Sequence, residues 1–256
     1  MEDSVSPDAK QLAREQIVAA LEEGGYGHRE LLVRINALST DWGLDDIKAI
    51  CASRTAPDAV LIPKIDTAAD VREAIAAFET AGCPDSVDMW IMVETPACII
   101  NLGEVAAAQP RPTGNVRATP HPPKDTRVTH TPPRLRIITA QNLSVYAARA
   151  NGLEVIDGVQ RDLENEELLA TSCEQGRDLG FDGKSLIHPK QIAAANEAFA
   201  PGEAEIASAQ EIIEAFEVAQ AQGKGVVVVK GRLVENLHVE EAKRNLALAE
   251  AIAANN

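Results

Sequence analysis

Aromatic side chains are scarce in this chain, 3% of 256 residues. A core with so few rings must close through aliphatic and small side chains, which suits helices packed through alanine. Positive charge is also in deficit: 24 Lys and Arg against 39 Asp and Glu leave a formal net charge of −15. That field opposes nucleic acid and anionic membranes, so neither is expected as a partner, and an anionic substrate needs local basic residues of its own. Cysteines number four (Cys51, Cys83, Cys98 and Cys173), with no Cys-x-x-Cys pair and no zinc-type Cys/His spacing. They are read as core-filling thiols of a reducing cytoplasm. No signal-peptide pattern and no membrane-spanning apolar run is present, so a soluble cytoplasmic protein is expected.

What is present is a rhythm of short apolar runs and amphipathic stretches. Strands are expected at residues 31–38, 59–65, 89–95, 154–159 and 185–187, with a strand-like run at 226–229. Helices are expected at about 7–23, 40–51, 67–80, 99–108, 137–151, 166–179, 190–198, 203–222 and 239–253. Thr40 or Asp41 is a candidate cap for the second helix, and Asp66 or Thr67 for the third. Strands alternating with helices in this way imply parallel βα units. A further strand is due near 112–118, but seven of the chain's 14 prolines fall within residues 109–134. Proline removes a ladder donor and stops helices, so that strand is poorly supported.

Counting it, six strands precede the C-terminal segment, whereas a closed barrel needs eight. The expected fold is therefore an α/β TIM (β/α)8 barrel, incomplete at the N-terminus, over residues 1–200. A C-terminal helical extension over residues 201–256 is expected to pack on a neighbouring subunit. The alternative, an open doubly wound sheet, lacks a Gly-rich phosphate fingerprint.

Two strand ends carry chemistry. The run Met89–Val93 leads into Glu94, followed by Thr95 and Pro96. Leu31–Val33 leads into Arg34, followed two residues later by Asn36. Barrel enzymes display reactive groups at the C-terminal ends of parallel strands. A guanidinium fork there suits a carboxylate, and a carboxylate there suits a hard cation.

Taken in order, several stretches resemble the HpcH/HpaI aldolase/citrate lyase β-subunit family. They are Val-Arg-Ile-Asn-Ala-Leu (33–38), Trp-Gly-Leu-Asp-Asp (42–46), Val-Leu-Ile-Pro-Lys-Ile (60–65), Val-Glu-Thr-Pro (93–96) and Ile-Asp-Gly-Val (156–159). The longest is Gly-Phe-Asp-Gly-Lys-Ser-Leu-Ile-His-Pro-Lys-Gln-Ile (180–192); Asn196–Pro201, Gly231–Glu235 and His238 also fit. The resemblance implies a trimeric TIM barrel and a carbon–carbon lyase acting on 3-hydroxy acyl-CoA thioesters of the citryl- or malyl-CoA type, with Mg2+ as cofactor. It implies Glu94 as metal ligand, Arg34 as the grip on the substrate carboxylate, and Ile187, His188 and Pro189 along the CoA portion. Lys64 is a candidate for electrostatic support. Glu2 and Asp3 match an acidic pair near the metal, with chain-end disorder as the competing expectation. Glu235 stands where relatives carry an aspartate that reaches a neighbouring subunit's site.

The chain also departs from that pattern. The family's second metal ligand, an aspartate in a Gly-x-x-Asp-Leu motif, has no counterpart, and His121 falls near its position. Histidine is a poor ligand for Mg2+. Nothing replaces the family's first strands or the basic loop for CoA phosphates. Two other functions therefore stand beside the acyl-CoA lyase: an impaired remnant that still oligomerises, and an aldolase acting on free 2-oxo acids.

Overall fold

The computed structural model describes residues 1–2, 4–109 and 134–255, together with the backbone of the strand at 115–118. His121 and Asp3 lie outside the described residues. The chain divides into two compact units, Met1–Ala195 and Asn196–Asn256.

The first unit is built on one parallel sheet whose strands lie side by side in sequence order. They are β1 (Leu32–Arg34), β2 (Ala59–Ile62), β3 (Asp88–Val93), β4 (Asn115–Ala118), β5 (Val155–Asp157) and β6 (Gly183–Lys184). Among the described residues β1 and β6 are the sheet's two outer strands. Helices α1 (Lys10–Glu23), α2 (Gly43–Cys51), α3 (Ala68–Ala81), α4 (Pro96–Ile100), α5 (Leu102–Ala107), α6 (Ile138–Asn151) and α7 (Glu166–Asp178) accompany it, and α8 (Ile192–Phe199) runs across the division between the units. This α/β order is the one the sequence rhythm implies.

Period-two alternation sorts the strand residues onto two faces. One face carries a buried cluster of Ala59, Leu61, Trp90 and Met92, flanked by Leu32 and Ile156. The other carries Val33, Val60, Ile62, Ile91, Val93 and Val155, all buried. With both faces apolar, the strands read as continuous hydrophobic runs, as parallel strands covered on both sides do.

Local chemistry explains the helix starts. Thr67 opens α3 by accepting from the Asp70 N–H (3.3 Å), while the Asp70 carboxylate accepts from the Thr67 N–H (2.8 Å), a reciprocal capping box. Thr95 opens α4 by accepting from the Cys98 N–H (3.0 Å), with Pro96 at the first helical position. Gly43 begins α2 beside the preceding loop, where an added Cβ would sit 2.5 Å from the Ala37 carbonyl oxygen. Only glycine permits that approach.

Several expectations need correction. The poorly supported strand exists: β4 pairs with β3 from Trp90↔Asn115 to Val93↔Ala118, and with β5 at Val116↔Val155 and Arg117↔Ile156. The prolines at 112 and 120 flank these four residues rather than interrupt them, and partners on both sides supply the ladder. Trp42, not Thr40 or Asp41, is the α2 cap position, and its side chain makes no cap bond. The last strand of the sheet is 183–184 rather than 185–187, because Asp157 and Ile156 register with Lys184 and Gly183. Cys51 and Cys83 are not separate core thiols; they form a disulfide joining the end of α2 to the segment after α3. Cys98 and Cys173 are free and buried, as expected.

The second unit holds α9 (Glu203–Ala221), an antiparallel hairpin of β7 (Val227–Val229) and β8 (Arg232–Val234), and α10 (Asn236–Ala254). The sequence reading foresaw β7 but not its partner. Lys230 and Gly231 both have positive φ (48° and 81°), as a two-residue primed hairpin turn requires. Phe216, Val234 and Val239 form its apolar centre, with Ile212, Ile213, Val227 and Val229 against them. No helix among the described residues is long and apolar enough to cross a membrane.

Candidate functional site

All six strands of the sheet run parallel, so their C-terminal ends lie along one edge. Arg34 ends β1, and Glu94 follows the last residue of β3. The alternation that puts Leu32, Trp90 and Met92 on one face puts Arg34 there as well, and Glu94, one residue past β3, continues the parity of Met92. Between them stands the end of β2, followed by Pro63 and Lys64.

Lys64 contributes through its backbone. Its φ is 56°, a left-handed conformation that a non-glycine residue adopts at a cost. In that conformation its N–H donates to Glu94 Oε1 at 2.8 Å. The strained turn thus orients the half-buried Glu94 carboxylate. The Lys64 side chain is exposed.

Glu2 is ordered rather than loose, contrary to the competing expectation. It is 5% exposed, and its Oε2 lies 2.9 Å from Arg34 Nε. Among the described residues that oxygen accepts no well-aligned hydrogen bond, so its contact with Arg34 is mainly coulombic. The cause of its order is Lys10 on α1. The buried Lys10 ammonium donates to the carbonyls of Met1 (3.0 Å) and Glu2 (3.1 Å) and to Asn36 Oδ1 (2.6 Å). Asn36 in turn donates to Asp46 Oδ2 (2.6 Å), and Arg14 Nε reaches Asp46 Oδ1 (2.9 Å). Sequence reasoning missed this network. Its one local signal is the i, i+4 spacing of Lys10 and Arg14, which puts two cations on one helix face.

A hydroxyl–carboxylate contact forms at the residue after Glu94. Thr95 Oγ1 donates to Asp66 Oδ1, and Asn101 Nδ2 donates to the Asp66 carbonyl (3.0 Å). Beneath them, the Cys98 thiol is pushed up to about 12, first by burial and then by the carboxylates of Asp66, Glu94 and Asp70. Burial likewise raises the Cys173 thiol. Thiolates, not thiols, alkylate. Iodoacetamide at pH 8 is therefore expected to label neither free cysteine in the native protein and both after urea denaturation. Mass spectrometry reads the outcome, and rapid native labelling of Cys98 would remove this reading of its surroundings.

The ends of β5 and β6 carry a second cluster that sequence reasoning matched but gave no role. Asp157 is fully buried; its Oδ2 accepts from Arg134 (2.7 Å) and Lys184 (2.8 Å), and its Oδ1 from Gln141 (3.1 Å). Lys184 Nζ also donates to the Gly158 carbonyl (2.7 Å). Burial, with help from the Arg134 charge, lowers the Lys184 pKa against the opposing pull of Asp157. Beyond β6, Ile187, His188 and Pro189 form an exposed turn, and His188 Nδ1 accepts from the Lys190 N–H (3.1 Å). Glu235 belongs to the second unit, where it precedes α10 and its N–H donates to His238 Nδ1 (3.1 Å).

For Mg2+ the donor set is sparse. Among the described residues no group of three or more His, Cys, Asp and Glu side chains is placed to hold a metal. Glu94 is nevertheless a strand-end carboxylate held in place by a backbone N–H, and Mg2+ commonly uses one or two carboxylates, with waters and substrate completing its shell. Glu94 is thus a residue at this edge that could serve such an ion as a protein ligand.

The HpcH/HpaI aldolase/citrate lyase family model matches residues 1–189. A (3S)-malyl-CoA thioesterase from Cereibacter sphaeroides is 45% identical over 254 residues, covering 99% of this chain and 86% of the relative. Citrate lyase subunit beta from Leuconostoc mesenteroides subsp. cremoris is 35% identical, covering 98% and 84%. A citrate lyase beta subunit from Mycobacterium tuberculosis, solved with oxaloacetate and magnesium, superposes with a TM-score of 0.63 at 26% identity, covering 78% of this chain and 86% of that one. With the family model spanning most of its length and relatives this similar along nearly all of it, the chain belongs to the HpcH/HpaI aldolase/citrate lyase family of enzymes.

Proposed function

We propose that this protein is a carbon–carbon lyase of 3-hydroxy acyl-CoA thioesters, with the malyl-CoA type as its substrate class and Mg2+ as its cofactor. The observation that carries the proposal is the pairing of Arg34 and Glu94 on one sheet face at the C-terminal strand edge, with Glu94 oriented by the Lys64 N–H. The similarity to a malyl-CoA thioesterase supports the malyl class, and the magnesium in a related solved structure supports the cofactor.

In this reading Arg34 grips the carboxylate of the 2-oxo-acid half through its planar fork. Glu94 holds the cation, which when bound polarises the oxygens of that half and stabilises developing enolate charge. Lys64 keeps the Glu94 carboxylate turned toward the site at no reorganisation cost during the reaction. Glu2 limits this machinery. Its buried carboxylate already faces Arg34, so a substrate carboxylate must share the guanidinium or displace it. Ile187, His188 and Pro189 line the CoA portion, and Glu235 serves a neighbouring subunit's site. Residues 201–256 pack on that neighbour in a trimer, and the protein works in the cytoplasm.

Isothermal titration of oxaloacetate in the presence of Mg2+ tests the site. Glu94→Ala is expected to weaken binding at least about tenfold, roughly 1.4 kcal/mol. Equal affinity in wild type and variant would sink the assignment. One observation favours a second reading, a catalytically impaired family member: the aspartate of the Gly-x-x-Asp-Leu motif is absent. On that reading wild type binds oxaloacetate no better with Mg2+ than without it. The aldolase on free 2-oxo acids predicts turnover of substrates that lack CoA.

A further inference from the structure

The loops after β5 and β6 are tied together by one side chain to which no role has been assigned. Gln191 is 2% exposed. Its Nε2 donates to the Gln160 carbonyl (3.0 Å), in the loop after β5. Its Oε1 accepts from the Ile187 N–H (3.1 Å), in the loop after β6. Its own N–H donates to the His188 carbonyl (3.0 Å). Both loop groups are backbone atoms outside any sheet ladder, and a buried carboxamide offers a donating NH2 and an accepting oxygen on one rigid plane. Leucine would fill a similar volume and satisfy neither group.

The other ties between these loops act elsewhere. Lys184 holds the Gly158 carbonyl, two residues before Gln160. Lys190 and Glu164 meet at 3.0 Å on the surface, where ion pairs contribute little. Gln191 alone among these three side chains bonds the backbone of the 187–188 turn. His188 Nδ1 is occupied by the Lys190 N–H, which leaves its Nε2 to carry the ring proton on an exposed residue. Where that Nε2–H points depends on the turn that Gln191 holds.

We propose that Gln191 is the positioning residue of the CoA-binding end of the site: its carboxamide sets the Ile187–Pro189 turn against the loop after β5 in the geometry that takes the CoA portion of the thioester. The inference rests on the acyl-CoA reading above. It separates the two ends of the site, because the bonds of the Gln191 carboxamide go to the loops after β5 and β6.

The test uses the full chain and two probes, free coenzyme A alone and oxaloacetate with Mg2+, each titrated calorimetrically. Gln191→Ala is expected to raise the Kd for coenzyme A about tenfold while the oxaloacetate Kd stays within about twofold. Gln191→Glu keeps the shape but turns a second oxygen toward the Gln160 carbonyl. It is expected to match the alanine variant at pH 8. At pH 5, compared with wild type at the same pH, it should recover, because the protonated carboxyl donates to Gln160 as the amide did. That rescue is within one variant, so it survives if Gln191→Ala fails to fold. Unchanged coenzyme A affinity in the variants, parallel loss of oxaloacetate affinity, or no pH rescue each overturns the inference while the acyl-CoA reading stands. Wild type that binds no coenzyme A overturns both.

Discussion

Asp157→Ala is expected to destabilise the protein by about 3–5 kcal/mol, the usual cost of removing one partner of a buried ion pair. Asp157 is fully buried at the end of β5, and the Lys184 side chain that faces it is fully buried too. Arg134 adds a second cation, 15% exposed, to the same carboxylate oxygen. Take away the carboxylate and two positive charges face each other in a poorly solvated space. The lowered Lys184 pKa already records that burial and Arg134 disfavour its ammonium, and Asp157 is what opposes them.

The loss comes from stranded charge rather than from any large net value of the pair. Replacing Asp157 and Lys184 together by apolar residues of similar size should therefore restore much of the stability. Urea denaturation of the single and double variants measures both quantities. A loss below about 1 kcal/mol for Asp157→Ala, against the 3–5 expected of a buried pair, would mean that water reaches this cluster.

Reduction of the Cys51–Cys83 disulfide is the second large effect. The bond spans 32 residues of sequence, from the end of α2 past the whole of β2 and α3. In the chain-entropy account a loop of that length restrains the unfolded chain by about 3–4 kcal/mol. Dithiothreitol is expected to lower the urea midpoint of wild type by a matching amount, and a Cys51→Ser, Cys83→Ser variant should show the lower midpoint with or without reductant. A wild-type midpoint indifferent to dithiothreitol would count against the bond. In a reducing compartment the two sulfurs would stand as thiols, and the lower stability would apply.

The strand-end pair was legible because it needs only local rules. An unbroken apolar run ends at Val33 and at Val93, and the next residue in each case carries a charge. Parallel order then places both at one edge, and parity places both on one face. The disulfide was not legible, because Cys51 and Cys83 have no characteristic spacing; α2 and α3 bring their ends together only after both pack on the sheet. Strand β4 was hidden by its flanking prolines. Local propensity is weak over Asn-Val-Arg-Ala, and the ladders to β3 and β5 come from tertiary structure.

By itself, the sequence determined the family, the βα rhythm, the acidic surface, and the two residues, Arg34 and Glu94, on which the proposed chemistry turns. Each of these follows from residue identity, spacing or pattern along the chain. The partners of those charges were decided only by the tertiary structure. Glu2 reaches Arg34 across 32 residues, the Lys64 N–H reaches Glu94 across 30, and Arg134 and Lys184 converge on Asp157 across 23 and 27. Alternation along a strand names the face a side chain occupies. It carries no information about which distant group arrives opposite, because that depends on how adjacent strands register and on how helices pack across them.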